Sequence, residues 1–193
     1  MPLTMSVSVA QLLKQETAVS HVRTENILSP TLATIHSFDD YASILKMFYG
    51  YFHPLESIIR SYITPGILKD IDERRNSSFI MNDLEAIGYS TEPLALCTQL
   101  PKINSSLAAL GAMYVLEGST LGGRMISRML MKNTLVPFSN SNLHFFNGYK
   151  DETGKKWTSF LAVLEEHAEG VDAIVSAANE TFNCLTQWME KTL

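Results

Sequence analysis

The segment Leu110 to Arg124 reads Leu-Gly-Ala-Met-Tyr-Val-Leu-Glu-Gly-Ser-Thr-Leu-Gly-Gly-Arg and holds residue types that a helix interior normally excludes. Apolar residues at helical spacing extend on both sides of it, from Leu107 to Leu130. Each glycine inside a helix costs about 1 kcal/mol relative to alanine. A helix keeps such a patch where its backbone must bend, or where something flat must lie directly on it. Gly118 and Gly122 are one turn apart and share a face of bare backbone. A close crossing of two helices asks for the same small residues, so spacing alone leaves both readings open.

The other candidate chemistry lies in side chains that ligate. The histidines are His21, His36, His53, His144 and His167. An isolated histidine is more often a core or surface residue than a ligand. His21 differs because Glu25 follows one turn later, where a carboxylate can take the Nδ1 proton and leave Nε2 for a metal. The same pair is also ordinary decoration of a helix surface. Cys97 and Cys184 are isolated in the sequence and form neither a metal-type pair nor a disulfide framework. No repeated Glu-x-x-His pattern of a di-iron bundle is present.

These residues need helices to position them. Ser8 or Ser6 caps a first helix running from Val9 through Ile27 and Leu28, which Ser29-Pro30 should end. Lys14, Thr17, His21 and Glu25 lie near one stripe of it. Ser37 to Asp40 starts a second helix, Tyr41 to Tyr62, with Pro54 expected to bend or interrupt it. Phe79 to Ile87 is a short helix stopped by Gly88. A turn of helix around Leu94 to Leu100 follows between Pro93 and Pro101, and Ser105 or Asn104 caps the glycine-bearing helix. After the polar loop Pro137 to Asn142, helices span Thr153 to Ala168 and the stretch beyond Gly170. No alternating strand pattern competes, so the fold class is all-α, a helical bundle in one domain over 1–193.

Composition sets the remaining bounds. At 46% hydrophobic and 18% charged, the 193 residues can fill a core. A net charge of -5 without a basic run disfavours nucleic acid. The first ten residues lack a signal-peptide pattern, and no apolar run reaches the roughly 20 residues that span a bilayer. A cytoplasmic protein with no membrane segment is expected.

The string Tyr114 to Gly123, Tyr-Val-Leu-Glu-Gly-Ser-Thr-Leu-Gly-Gly, resembles the distal helix of bacterial heme oxygenases, especially the biliverdin-producing type associated with bacteriophytochromes. Leu13 to Glu25 is similar to the proximal helix of that family: a lysine, a threonine three residues on, a histidine four further, then a glutamate. Phe48 to Glu56, Arg74-Arg75 with Asp83-Leu84 and Ile87-Gly88, and Phe145 to Tyr149 with Glu152-Thr153-Gly154 and Trp157 agree in order. The resemblance spans about residues 9–190.

That resemblance implies a heme held between the first, proximal helix and a glycine-kinked distal helix. His21 becomes the axial ligand of the heme iron, Glu25 its support, and Lys14 a contact to a propionate. Gly118, Ser119, Gly122 and Gly123 become the catalytic distal wall. Arg124, Arg128 and Lys132 form a basic row one turn apart, of which Arg128 is favoured for the second propionate, although a solvated helix side has the same pattern. The implied reaction opens heme, at once substrate and cofactor, to biliverdin, CO and Fe2+ using O2. Electrons must come from outside, from a ferredoxin or a NAD(P)H-linked reductase, because the chain has no flavin or nicotinamide glycine motif. A bacteriophytochrome is the implied recipient of the biliverdin.

Two positions depart from the animal-type pattern. Ser119 stands where those enzymes carry an aspartate that organises distal water, and Val115 where they carry an arginine. A non-catalytic heme carrier or sensor of the same fold is therefore the alternative. A thiamin-salvage hydrolase of similar fold would need a cysteine nucleophile, and neither Cys97 nor Cys184 has a base at near spacing.

Overall fold

The computed structural model describes residues 7–90 and 93–193. Ser8 caps α1 (Val9–Glu16) with a capping box, its Oγ accepting from the Gln11 N–H while the Gln11 side chain accepts from the Ser8 N–H. Ser6, the other candidate cap, lies outside the described residues.

The expected single first helix is divided at Thr17, after which α2 (Ala18–Ala33) begins. Buried Thr17 donates its hydroxyl to the Leu13 carbonyl at 2.7 Å, a back-bond that bends helices. Main-chain bonds still run from Thr17 N–H to Leu13 and from His21 N–H to Thr17, so the junction is a bend in a continuous ladder. Pro30 does not end α2, contrary to the sequence expectation. Pro30 and Asn26, whose carbonyl loses its helical donor there, are both exposed, so water can satisfy that oxygen.

Ser37 and Asp40 form a second capping box at the start of α3 (Phe38–Arg60). Pro54 lies within α3 and leaves it uninterrupted, while Tyr41, Leu45, Phe48, Tyr51, Phe52 and Leu55 bury its inner face. Next comes α4 (Ser78–Ala86), followed by Gly88 at φ 85°. The expected helical turn at Leu94 to Leu100 is absent: the segment is non-helical, and the Cys97 N–H donates to the Gly50 carbonyl on α3 at 2.8 Å. A side chain at Gly50 would put Cβ 2.6 Å from the Ala95 oxygen, so only glycine admits this approach.

Ser105 caps the longest helix, α5 (Ser106–Leu130), through the Ala108 N–H, and α5 runs unbroken through its glycines. The short α6 (His144–Asn147), α7 (Thr153–Glu165) and α8 (Val171–Thr192) complete an all-α chain with no strand among the described residues. Among those residues no helix is long and apolar enough to cross a membrane.

α8 is the common support. On one side α5 presses against it at Gly111, where an added Cβ would collide with the Ile174 carbonyl and lie 2.9 Å from the Ala177 Cβ. On another side α2 is tied to α8 by Ser20 to Asn179 (2.6 Å) and Thr24 to Thr186 (2.9 Å). From the core side of α3, the Tyr51 hydroxyl donates to the Thr181 carbonyl. Gly111→Ala therefore forces α5 off α8 and should lower stability by about 1–3 kcal/mol, read as a shifted urea midpoint with an unchanged slope.

Candidate functional site

One face of α5 is core and the other is open. Gly122 has nothing within 4 Å of a would-be Cβ, and Leu121, Met125 and Met129 beside it are 43%, 75% and 42% exposed. Gly118 and Tyr114 continue the stripe toward the N-terminus, with the Trp157 ring 3.6 Å from the Cβ position of Gly118. An apolar helix face left this bare marks a place where something else docks.

On the same support, α8, lies α2. Its Val19 and Val22 are exposed, and His21 is 53% exposed with its ring set edge-on to Phe182 of α8 at 5.6 Å. The two helices are closed at one end, where the Tyr114 hydroxyl lies beside Thr17. Burial raises the Tyr114 pKa, and the nearby Thr17 opposes that rise. His21 lies one turn beyond Thr17, and Gly118 one turn beyond Tyr114. Both helices run along α8 in its own direction: Ser20, His21 and Thr24 meet Asn179, Phe182 and Thr186, while Leu107 and Gly111 meet Gly170 and Ala178. An imidazole and a bare backbone face thus leave a shared closing contact on a shared support.

Glu25 Oε2 stands 3.6 Å from His21 Nδ1, too far for a hydrogen bond. Nε2 has no protein partner among the described residues. Lys14 in the last turn of α1 and Arg128 in the last turn of α5 are exposed, with no carboxylate within 4.0 Å among the described residues. Arg124 of the same basic row is 3.7 Å from Asp151.

Behind the open face lies a set of buried charges that sequence reasoning did not assign. The Arg75 guanidinium donates from Nη2 to the Leu116 carbonyl and to Ser119 Oγ, each at 2.8 Å, and lies against the rings of Phe145 and Phe52. Burial lowers its pKa, and Glu117, Tyr149 and Glu56 oppose that from a distance. Ser119 donates in turn to the Leu116 carbonyl, so its hydroxyl faces Arg75 and not the bare stripe. Gly123 is also turned inward, since an added Cβ would sit 2.7 Å from the Phe146 carbonyl oxygen. Of the four glycine-segment residues, Gly118 and Gly122 line the opening, while Ser119 and Gly123 fasten α5 from behind.

Arg74 pairs with Glu117 at 2.7 Å in the interior, and Tyr149 donates to the other Glu117 oxygen at 2.7 Å. Desolvation would lower the Arg74 pKa, but Glu117 and Asp70 raise it overall. Fully buried Asp83 accepts from the His144 N–H, the Phe145 N–H and His144 Nδ1, fixing the short α6 on which Gly123 rests. Burial raises the Asp83 carboxyl above the usual range despite those bonds. Only the two adjacent arginines hinted at this assembly in the sequence, and nothing there said which helix they would grip.

The family model for heme oxygenase matches residues 7–191. A heme oxygenase of Xanthomonas campestris pv. campestris (strain 8004) is 31% identical over 139 residues, covering 72% of this chain and 80% of that protein. The fold is similar to that of the NO- and CO-bound heme oxygenase from Neisseria meningitidis, at TM-score 0.74 and 18% identity, over 97% of this chain and 92% of the other.

Two outcomes follow from the geometry. Gly122→Ala meets open space and should stabilise the protein by up to about 1 kcal/mol through helix propensity, whereas its neighbour Gly123→Ala should destabilise it, both read by urea unfolding. Burial would raise the Asp70 pKa, but Lys156 and Arg74 outweigh it and hold the carboxyl below its ordinary range. Its contribution is therefore present above about pH 4 and lost as pH falls further, so Asp70→Asn should flatten the acid limb of a stability–pH curve.

Proposed function

The chain belongs to the heme oxygenase family, and from that premise we propose that it binds heme between α2 and α5 and opens it to biliverdin, CO and Fe2+. The observation that carries this reading is the bare apolar face around Gly122, left open while α2 carries a half-exposed imidazole on the same support. A flat, apolar macrocycle with two anionic side arms suits that space. Leu121, Met125, Met129 and Val22 offer apolar surface, and Lys14 and Arg128, with no carboxylate partner among the described residues, offer cations for the propionates.

In this reading His21 Nε2 would hold the heme iron, and Glu25, 3.6 Å from Nδ1, would steady the ring from its other side. When bound, heme supplies the iron at which O2 is reduced and the porphyrin carbon that is oxidised. Gly118 and Gly122 would let a flat ligand lie close to the main chain of α5, since neither adds a side chain to this face. Gly123 and Ser119 hold that main chain at its depth through Phe146 and Arg75. The open stripe carries no carboxylate, and Glu117 is engaged behind it, so protons reach this face through water. Electrons come from an external ferredoxin or NAD(P)H-linked reductase. The setting is the cytoplasm, and the biliverdin is of the kind passed to a bacteriophytochrome.

The missing acid favours one other reading, a heme carrier or sensor that holds heme through His21 without turning it over. Single-turnover spectra with ascorbate separate the two. Loss of the Soret band with growth of biliverdin absorbance is expected, and a stable oxy-heme with no biliverdin would support the carrier. His21→Ala should lose the native Soret spectrum and reduce turnover by about 100-fold or more, beyond what removing an outer-shell partner does; an unchanged spectrum and rate would refute its role. Gly122→Phe should stop O2 chemistry while circular dichroism shows the fold intact, and wild-type turnover in it would mean that the glycines serve packing alone.

A further inference from the structure

Cys97 and Cys184, far apart in sequence, line one cavity beside the C-terminal half of α8. Its volume is about 40 Å3, and Thr98, Gln99, Trp188 and Lys191 complete its lining. Cys97 is 5% exposed and Cys184 half-buried. Both are free thiols, and they are the only cysteines of the chain. The proposed heme site makes no use of them.

The walls of this cavity are pinned. Gly50 lets the Ala95 carbonyl and the Trp188 ring lie directly on α3, and the Cys97 N–H is bonded to the Gly50 carbonyl. The Trp188 Nε1–H donates to the Met47 carbonyl at 2.8 Å. The Lys191 ammonium is bonded to the Gln99 side chain at the rim. The space is larger than the 10–15 Å3 a single water needs and far smaller than an organic ligand.

We propose that Cys97 and Cys184 together bind one soft, two-coordinate cation, Cu(I) in type, within the cavity they share. Thiolate sulfur selects such ions over hard ones. Among the described residues no third His, Cys, Asp or Glu completes a metal-binding group, which removes the four-ligand site that zinc requires. Binding breaks two S–H bonds, forms two S–Cu bonds and releases two protons, with no change of oxidation state. The product carries one negative charge, which the Lys191 ammonium offsets. Burial raises the pKa of both thiols, and Glu180 adds to this at Cys184. They therefore stay protonated and slow toward oxidants until a cation displaces the protons.

The experiment uses the purified, heme-free protein under anaerobic reducing conditions, titrated with Cu(I) against bathocuproine disulfonate. One equivalent should be withdrawn from the chelator, with new near-ultraviolet thiolate–copper absorption and partial quenching of tryptophan emission, because Trp188 lines the cavity. Cys184→Ser and Cys97→Ser should each weaken binding by about 100-fold or more, beyond the effect of an outer-shell change. Circular dichroism confirms folding, and the half-buried Cys184→Ser carries the test if the buried Cys97→Ser does not fold. Failure of the wild type to compete for copper, equal binding by Cys184→Ser, or ready closure of an intramolecular disulfide in place of copper uptake would each overturn the assignment. Because no heme is present, none of these outcomes depends on the turnover reading.

Discussion

Gly111 lets the main chain of α5 settle onto α8 with no side chain between them, and hydroxyl and amide bonds from Ser20 and Thr24 hold α2 to α8. This double seating governs the rest of the molecule. It places two helices on one support, with Tyr114 of α5 near Thr17 at the start of α2. Beyond that contact Trp157 borders the stripe at Gly118, and the surface around Gly122 stays open. Folding alone gives no reason to leave Met125 and Leu121 in water, where their burial would be worth about 25 cal/mol per Å2 of apolar area. A ligand that covers them recovers that energy on binding.

A helix stripped of side chains on one face has little with which to hold its own position there. The compensation lies on its inner side. Arg75 grips the Leu116 carbonyl and Ser119, Gly123 beds on Phe146, and Asp83 fixes the turn that carries Phe146. Buried charges add net stability only when fully satisfied. Arg74, Glu117 and Tyr149 meet that condition in a closed chain of bonds, and no buried side-chain polar atom among the described residues lacks a partner. The open side can therefore be chemically plain because the hidden side is so heavily bonded.

Much of this was legible in the sequence. Ser37, Ser105, Gly88 and the glycine before α8 mark element ends through local chemistry alone, and the structure agrees. Local rules failed where tertiary contacts outweighed them. Pro30 sits inside a helix, Thr17 bends a stretch whose apolar periodicity reads straight through, and Leu94 to Leu100 lies without helix along α3 because Gly50 invites it. At the site, type and spacing made His21 and Gly122 candidates only, beside the readings of surface decoration and helix packing, and it was the family resemblance that gave them roles. Gly122 and Gly123 cannot be told apart as adjacent letters, yet one faces open space and the other a carbonyl. Arg75, Asp83 and the pairing of the two cysteines depend on which elements meet, which spacing along one chain does not encode.

The central claim is tested most directly by a crystal structure of the protein with hemin bound. The account predicts iron bonded to His21 Nε2, the porphyrin plane lying against the main chain of Gly118 and Gly122, and propionates reaching Lys14 or Arg128. A porphyrin seated elsewhere, with His21 turned to solvent and the α5 stripe covered by protein side chains, would contradict it.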